Sequence, residues 1–152
     1  MIRILFVCHG NICRSVMAEM MMKDRVEKLG KDSAFFIDSA ATSTEEIGAG
    51  IYPPAHRKLI EKGIDPGSHR ARQVRRADYD SFDMIIGMDS ANIRNLVRLF
   101  SGDPQKKVYR MMEFADTERD IADPWYTDDF ESTYRDLQVS LDGLLRRLDS
   151  RL

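Results

Sequence analysis

Hydrophobic and polar positions along the chain fall into two alternating patterns. Short apolar runs, beginning with I-R-I-L-F-V at residues 2–7, are typical of buried strands in a parallel sheet. Three further runs predict strands at residues 35–37, 84–88 and 108–112. Between and after these runs, apolar residues recur every three or four positions, which predicts helices.

The helix boundaries follow from capping signals. The helices are expected to begin at Arg14, at Pro53 and Pro54, at Asp89 or Ser90, and at Phe130. The first is expected to end at about Leu29 and the second at Gly63, while the last carries an apolar stripe that continues to Leu152. Strands that alternate with helices predict an α/β fold: a single domain of residues 1–152 on a four-stranded parallel twisted sheet with helices on both faces.

Length, charge and composition narrow the class of protein. The 152 residues suit one domain with a sizeable core, and a hydrophobic fraction of 43% is ordinary for a globular protein. A formal net charge of −2 argues against bulk attraction to nucleic acid or to an anionic membrane. No apolar run approaches the ~18 residues of a membrane span, and the N-terminal segment lacks the features of a signal peptide.

Two details of composition add to this picture. The chain has two cysteines, too few for a disulfide scaffold, which suits a reducing compartment. Seven Lys or Arg residues lie between positions 57 and 76, but no aromatic residue is interleaved among them to stack on bases, so a solvated face is expected there. We therefore expect a cytoplasmic protein with no nucleic-acid or membrane partner.

The segment after the first predicted strand carries the strongest chemical signal. It reads C-H-G-N-I-C-R-S at residues 8–15, so that five residues separate Cys8 from Arg14. A loop that leads from a strand into a helix N-terminus points backbone amides and a helix dipole at a bound anion. Gly10 adds backbone freedom, and the Arg14 guanidinium can bind two phosphate oxygens at once. Cys8 stands where a thiolate is stabilised, so the pattern predicts a nucleophile aimed at phosphorus.

Other interpretations of this segment stay open on spacing alone. A cysteine five residues before an arginine occurs often by chance, and a cysteine at a strand end is usually a small buried hydrophobe. A zinc site built on Cys8, His9 and Cys13 needs a fourth ligand, and His56 and His69 lack the paired spacing to supply it, so no metal is expected. The nucleotide-binding motif G-x-x-x-x-G-K-[ST] is absent.

The wider sequence resembles the low-molecular-weight protein-tyrosine phosphatases over nearly the whole chain. The signature V-C-H-G-N-I-C-R-S is accompanied by D-S-A-A-T at residues 38–42, S-H-R-A-R-Q-V at 68–74 and F-D-M-I-I-G-M-D-S-A-N at 82–92. A-D-P-W-Y at 122–126 resembles the loop that carries the general acid of that family. The resemblance implies an enzyme that dephosphorylates tyrosine-phosphorylated proteins and needs no cofactor.

The resemblance also implies the central catalytic roles. Cys8 is expected to attack phosphorus and form a phosphocysteine intermediate, while Arg14 and the loop amides hold the phosphate oxygens. Ser15 is expected to donate a hydrogen bond to the Cys8 thiolate. Asp123 is expected to protonate the leaving phenolate and then to act as base on the attacking water. The loop residues expected around the phosphate are His9, Gly10, Asn11, Ile12 and Cys13.

Supporting residues are implied in the same way. Asn11 is expected to brace the loop together with Ser39, and His69 to orient Ser15. Trp125 and Tyr126 are expected to flank the entrance and to stack against the substrate ring. The residues alone leave other interpretations open at this loop, since Asp-Pro is also a common turn before a helix and a single tryptophan is often a core residue.

Two positions depart from, or discriminate within, the family pattern. Glu45 stands where many relatives carry an aromatic residue lining the pocket, so an acidic wall is expected to disfavour acidic phosphopeptides and to tolerate basic flanks. The family resemblance implies that relatives acting on phosphoarginine carry threonine at the position of Ile12. The apolar side chain favours phosphotyrosine, and phosphoarginine is the main alternative substrate.

Cys13 raises the question of redox control. It is expected to capture an oxidised Cys8 as a reversible disulfide, although a packed residue at the helix start is the simpler interpretation.

Two other functions compete with the phosphatase: thioredoxin-coupled arsenate reduction, which normally needs a further cysteine pair downstream, and non-catalytic phosphate binding, which needs no nucleophile. We expect a monomer or a weak homodimer.

Overall fold

Four parallel strands form one sheet in this computed structural model, which describes residues 1–151 of the chain. The strands are β1 (Ile2–Cys8), β2 (Phe35–Ala41), β3 (Met84–Gly87) and β4 (Val108–Arg110). Their spatial order is β2-β1-β3-β4, and every neighbouring pair is parallel. The predicted α/β fold class is therefore confirmed.

Helices cover both faces of this sheet. They are α1 (Arg14–Lys28), α2 (Pro53–Glu61), α3 (Asp78–Ser81), α4 (Ser90–Leu99), α5 (Pro124–Thr127) and α6 (Phe130–Leu148). Alternate side chains of β1 point to opposite faces. Ile4 and Phe6 join the core formed with α1, α2 and α6, while Leu5 and Val7 join a second core with α3 and α4. No helix within residues 1–151 is long and apolar enough to cross a membrane.

Several predicted boundaries differ from the observed ones. Strand β2 continues to Ala41 through the polar pair Asp38 and Ser39, because both pair in register with β1. The fourth strand ends at Arg110, where a 3₁₀ turn (Met111–Ala115) begins. Helices α3 and α5 were not predicted, since four residues are too few to show a helical period.

The end of the chain also differs. Helix α6 ends at Leu148 and is followed by a 3₁₀ turn at Asp149–Arg151. Leu152, the last member of the predicted apolar stripe, lies outside the described residues. The predicted apolar stripe of α6 is buried in the core that it shares with α1 and α2, where Leu137, Leu141 and Leu144 are fully buried.

The strand order determines where the site lies. The chain leaves β1 to one side to form β2 and later returns to the other side to form β3. In parallel sheets, ligands bind beyond the carboxyl ends of strands at the point where this direction reverses. Val7 pairs with Gly87 at that point, so that the loop after β1 and the loop after β3 lie side by side.

Candidate active site

The Cys8 thiol lies at the carboxyl end of β1, at the base of a pocket. Its Sγ is 3.0 Å from the Ser15 Oγ and receives the Asn11 backbone N–H at 3.3 Å. Only 3% of Cys8 is exposed. Helix α1 begins at Arg14, so the positive end of its dipole is directed at the same place. Each of these features stabilises negative charge on sulfur or on a bound anion.

The loop between β1 and α1 lines the pocket and leaves most of its backbone amides without a protein acceptor. Its carbonyls are held from outside: Thr42 N–H donates to the Cys8 carbonyl at 2.9 Å, and Tyr52 N–H donates to the Ile12 carbonyl at 3.0 Å. Within residues 1–151, six amides between His9 and Ser15 donate to no protein acceptor, those of His9, Gly10, Ile12, Cys13, Arg14 and Ser15. Consecutive free amides of this kind form an anion-binding cradle.

Asn11 is the residue that fixes the loop conformation. It is fully buried and adopts a left-handed backbone with φ 60°. Its Nδ2 donates to the Ser15 Oγ and to the Ser39 Oγ, each at 2.9 Å, so the contact expected between Asn11 and Ser39 is present. Gly10 does not have a positive φ, and so the unusual backbone angles expected of the glycine belong to Asn11 instead.

The direction of these hydrogen bonds determines what Ser15 can do. Because the Ser15 Oγ accepts from Asn11, its own proton is free to point at the Cys8 sulfur. The same argument applies to Ser39, which accepts from Asn11 and donates to Glu19 Oε1 at 2.5 Å. Donation from Ser15 stabilises a thiolate at Cys8.

Glu19 is a buried member of this network that the sequence analysis missed. Only 5% of it is exposed, and its second carboxylate oxygen accepts from Lys23 at 2.6 Å. A signal was present in the sequence, because Glu19 follows Ser15 by four residues and therefore lies on the same face of α1.

His69 and Arg72 support the loop from a neighbouring segment. His69 was expected to orient Ser15, but its Nε2 lies 2.6 Å from the Asn11 carbonyl oxygen, so its effect on Ser15 passes through Asn11. The Arg72 backbone N–H donates to the Asn11 Oδ1 at 3.2 Å. The Arg72 guanidinium in turn bridges Asp38 and Asp78.

The Arg14 guanidinium is held rigidly at the side of the pocket. Its Nη1 donates to Asp89 Oδ2 at 2.8 Å and to the Ile121 carbonyl at 2.9 Å. Burial lowers the pKa of Arg14, but the charges of Cys8 and Asp123 outweigh that effect, so the pKa is raised above its ordinary value. The hydrogen bond to Asp89 acts in the same direction. Arg14 is therefore a permanent cation at the site.

Asp89 has two functions, of which the sequence analysis recognised one. It caps α4 as expected, with its Oδ1 accepting the Asn92 N–H at 2.8 Å. The other carboxylate oxygen orients Arg14. The sequence shows only the capping pattern, since the contact with Arg14 spans 75 residues and depends on β1 and β3 being neighbours.

Asp123 lies at the mouth of the pocket opposite Cys8. Its Oδ2 is 3.5 Å from the Arg14 Nη2, and its Oδ1 accepts the Trp125 N–H at 3.1 Å, which caps α5. The carboxylate is partly exposed. Trp125 and Tyr126 line the same pocket and are 51% and 83% exposed.

The entrance has two further members. The Tyr52 ring, which the sequence analysis missed, lies 4.7 Å from the Trp125 ring between centroids and supports it from behind. On the other side, Glu45 lines the pocket as expected and is joined there by Glu46. Glu45 Oε2 lies 3.0 Å from His9 Nε2 in an exposed pair, so part of the acidic wall is neutralised whenever His9 is protonated.

Cys13 lines the pocket beside Cys8 as a free, buried thiol. Burial raises the pKa of Cys13 to about 12, and the nearby charges of Cys8 and Asp123 add to the increase. Cys13 therefore stays protonated at neutral pH. Across the described residues 1–151, no group of three or more His, Cys, Asp or Glu side chains is arranged to hold a metal ion.

The fold and the site together define a cysteine-dependent phosphatase: a thiol, an anion cradle, a fixed arginine and an acid converge in one pocket. The chain belongs to the family described as low molecular weight phosphotyrosine protein phosphatase, which matches residues 3–152. It is therefore an enzyme of the protein-tyrosine phosphatase class that acts on phosphorylated proteins, and Cys8 and Arg14 fit the catalytic positions of that class.

Known relatives agree with this assignment. The chain is 35% identical over 147 residues to the low molecular weight protein-tyrosine-phosphatase YfkJ of Bacillus subtilis, covering 95% of this chain and 94% of that protein. The human low molecular weight phosphotyrosine protein phosphatase is 37% identical over 150 residues, covering 87% of this chain and 86% of that protein.

Solved structures show the same similarity in three dimensions. The crystal structure of YfkJ superposes with a TM-score of 0.95 at 33% identity, covering 99% of this chain and 96% of that one. The crystal structure of DARP, a drosophila arginine phosphatase, superposes with a TM-score of 0.87 at 25% identity, covering 95% of this chain and 96% of that one.

Proposed function

We propose that this protein hydrolyses phosphotyrosine in proteins by two successive displacements through a phosphocysteine intermediate. One observation carries the proposal. The Cys8 sulfur lies at the base of a cradle of free amides and receives hydrogen bonds from a loop that Asn11 locks in place. A nucleophile held in this way is already oriented toward a bound phosphate, so little reorganisation is required in the transition state.

In the first step, the Cys8 thiolate attacks phosphorus while the bond from phosphorus to the tyrosyl oxygen breaks. Arg14 and the amides of the loop bind the three non-bridging oxygens. The Arg14 Nη1 is committed to Asp89 and the Ile121 carbonyl, so the Nη2, which has only the 3.5 Å ion pair with Asp123, is the nitrogen left to bind the phosphate. Asp123, at the mouth, gives its proton to the departing phenolate oxygen.

In the second step, water attacks the phosphocysteine and the phosphorus–sulfur bond breaks. Asp123, now ionised, accepts a proton from this water. Ser15 donates a hydrogen bond to the sulfur as negative charge returns to it, because its own Oγ lone pair is occupied by Asn11. Inorganic phosphate leaves, and the enzyme returns to its starting protonation state.

The test is phosphate release from p-nitrophenyl phosphate and from a phosphotyrosine peptide. Cys8→Ser is expected to abolish turnover of both, and Asp123→Ala to lower kcat for the peptide by about 100-fold or more, within the range for general acids. Glu118→Gln is the matched control, since Glu118 is an exposed carboxylate of the same segment. Full activity of Asp123→Ala would place the acid at another residue.

Phosphoarginine is a second candidate substrate, favoured by the similarity to the drosophila arginine phosphatase. Ile12 argues against it, because this buried apolar side chain lines the pocket and offers no hydroxyl to position the attacking water. We expect wild-type protein to prefer phosphotyrosine over phosphoarginine peptides. Ile12→Thr is expected to lower the kcat/KM for phosphotyrosine relative to that for phosphoarginine. A wild-type preference for phosphoarginine would reverse the assignment.

Redox control belongs to the same proposal. Peroxide oxidises the Cys8 thiolate to a sulfenic acid; the Cys13 sulfur then displaces water from it, and a disulfide forms. Oxidation of Cys8 also removes one of the charges that raise the pKa of Cys13, so Cys13 becomes more reactive at the moment it is needed. Cys13→Ser is expected to keep basal activity near wild type but to lose thiol-dependent recovery after peroxide. Unchanged recovery would exclude capture by Cys13.

Two further elements of the proposal concern the entrance and the assembly. The wall formed by Glu45 disfavours acidic residues on its side of a phosphopeptide, and Glu45→Gln is expected to lessen that discrimination. We also propose that the single domain of residues 1–152 acts as a monomer or a weak homodimer, which sedimentation over a range of concentrations would test.

A further inference from the structure

A second groove adjoins the catalytic pocket. His9 lines both the catalytic pocket and this groove, which encloses about 440 Å³. Beyond His9, the polar residues that line the groove are Thr42, Ser43, Gln73, Arg76, Asn95 and Arg98. A substrate chain that leaves the catalytic pocket past His9 therefore enters this groove.

The charge of the groove is opposite to that of the pocket rim. Glu45 and Glu46 line the rim, whereas no Asp or Glu is among the described residues that line the groove. Arg76 and Arg98 are exposed, and neither forms an ion pair with any carboxylate in the described part of the chain. Two guanidinium groups in one groove are thus free to bind an anion.

The walls of the groove are held by hydrogen bonds within the protein. The segment that carries Gln73 and Arg76 forms a parallel bridge with the end of β2, where Ala41 pairs with Gln73. The Gln73 Nε2 donates to the Thr42 carbonyl at 3.3 Å, and Ser43 N–H donates to the His9 carbonyl at 3.1 Å. Arg98 projects from the last turn of α4. A preformed groove costs little conformational entropy when it binds.

We propose that this groove is an anion-binding subsite that receives the carboxylate of an Asp or Glu side chain from the same peptide whose phosphotyrosine occupies the catalytic pocket. The inference rests on the proposed phosphotyrosine phosphatase function. An extended peptide advances ~3.3 Å per residue, so an acidic residue a few positions from the phosphotyrosine reaches a neighbouring groove. Glu45 puts negative charge on the rim, whereas Arg76 and Arg98 put positive charge in the groove. This opposition favours the chain direction that brings the acidic residue of the peptide to the groove.

The experiment scans a single glutamate through the four positions on each side of phosphotyrosine in an otherwise neutral peptide. At each position, kcat/KM is divided by the value for the matching glutamine peptide, so general effects on catalysis cancel. We expect one or two neighbouring positions at which wild-type protein prefers glutamate about fivefold, as two exposed ion pairs allow. Added salt is expected to reduce this ratio.

Three variants decide the assignment. Arg76→Gln with Arg98→Gln is expected to bring the ratio to about one, and Arg76→Glu with Arg98→Glu to bring it below one. Arg146→Gln is the matched control, since Arg146 is an exposed arginine on α6, on the other face of the sheet, and the ratio should be retained.

The outcomes separate this subsite from the proposed function. A wild-type protein that hydrolyses the peptides with no preference at any position would overturn the subsite and leave the phosphatase intact. A glutamate preference that survives the double substitution would also overturn it. Failure of wild-type protein to hydrolyse any phosphotyrosine peptide would overturn both.

Discussion

The two segments that supply the catalytic groups are held in very different ways. The loop at residues 8–15 is buried except at His9 and Gly10, and Asn11, Arg14 and Ser15 are each at most 2% exposed. The segment at residues 116–129, which carries Asp123, is mostly exposed and is anchored mainly by Ile121 and Pro124, the two buried residues on either side of the acid.

The difference matches the tasks of the two segments. The cradle must present amides and sulfur to a phosphate whose geometry is fixed, so movement within it would weaken transition-state binding. In the role proposed for it, Asp123 must meet leaving groups of different shape and then a water molecule, which requires exposure and some freedom. The proposed mechanism therefore requires a rigid segment around Cys8 and an exposed segment around Asp123. Substitutions in each segment test this difference.

Substitution of Asn11 is expected to have the largest effect on stability and activity, because its hydrogen bonds hold the loop at residues 8–15 in place. Asn11→Ala removes both hydrogen bonds donated by Nδ2 and puts alanine, which tolerates the left-handed backbone less well than asparagine, at φ 60°, so we expect a loss of about 3 kcal/mol in stability and near-complete loss of activity. Asn11→Gly is the matched variant, since glycine tolerates the left-handed backbone. It should recover about 1 kcal/mol without recovering activity. Recovery of activity in Asn11→Gly would show that the backbone angle alone organises the cradle.

Ile121 is expected to give the next largest effect, because it anchors the exposed segment. Its N–H donates to the Met88 carbonyl, its carbonyl binds Arg14, and its side chain is 1% exposed. Ile121→Ala should cost about 2–3 kcal/mol in urea unfolding. Because Asp123 shifts while the cradle stays, kcat for phosphotyrosine should fall more than kcat for p-nitrophenyl phosphate, whose leaving group needs less protonation. Equal losses would indicate that the cradle itself is disturbed.

The pKa of Cys13 gives an alkaline test of the rigid segment. This pKa is about 12 in the folded protein and 9.0 in the unfolded chain. The unfolded chain therefore loses the Cys13 proton first, and the free energy of unfolding falls as pH rises from 9 toward 12. At pH 10.5, wild-type protein should have lost about 2 kcal/mol more unfolding free energy than Cys13→Ala, relative to pH 8. Other titrating groups are common to both proteins and cancel. Parallel pH profiles for the two proteins would contradict this assignment.

Trp125 is expected to give the smallest effect. Its ring is half exposed and rests on Tyr52, so Trp125→Ala should lower stability by no more than about 1 kcal/mol. KM for a phosphotyrosine peptide should rise about fivefold, with little change in kcat, if the ring only contacts substrate. Tyr126→Ala, at the more exposed neighbour, is the comparison variant. A large fall in kcat for Trp125→Ala would mean that the ring also positions Asp123.

Local patterns accounted for most of the fold and for the groups that lie close together in sequence. The strands, the main helices and the segment from Cys8 to Ser15 follow from apolar runs, capping residues and motif order. Asp123 was assigned through the family resemblance, because the residues alone did not separate it from the other carboxylates of its segment. Glu46, Tyr52 and the second function of Asp89 were missed, since none has a local pattern that distinguishes it from an ordinary surface or capping residue.

Local sequence patterns were enough to predict the α/β architecture, the nucleophile and the arginine, because strand runs and a strand–loop–helix motif involve residues close together in the chain. Long-range packing, by contrast, gives Asn11 rather than Gly10 the left-handed backbone, makes His69 act through Asn11, and holds Arg14 against Asp89. It also places Arg76 and Arg98 in one groove beside the pocket. These relations join residues that are far apart in the chain, and they exist because the strand order β2-β1-β3-β4 brings the loops together at one edge of the sheet.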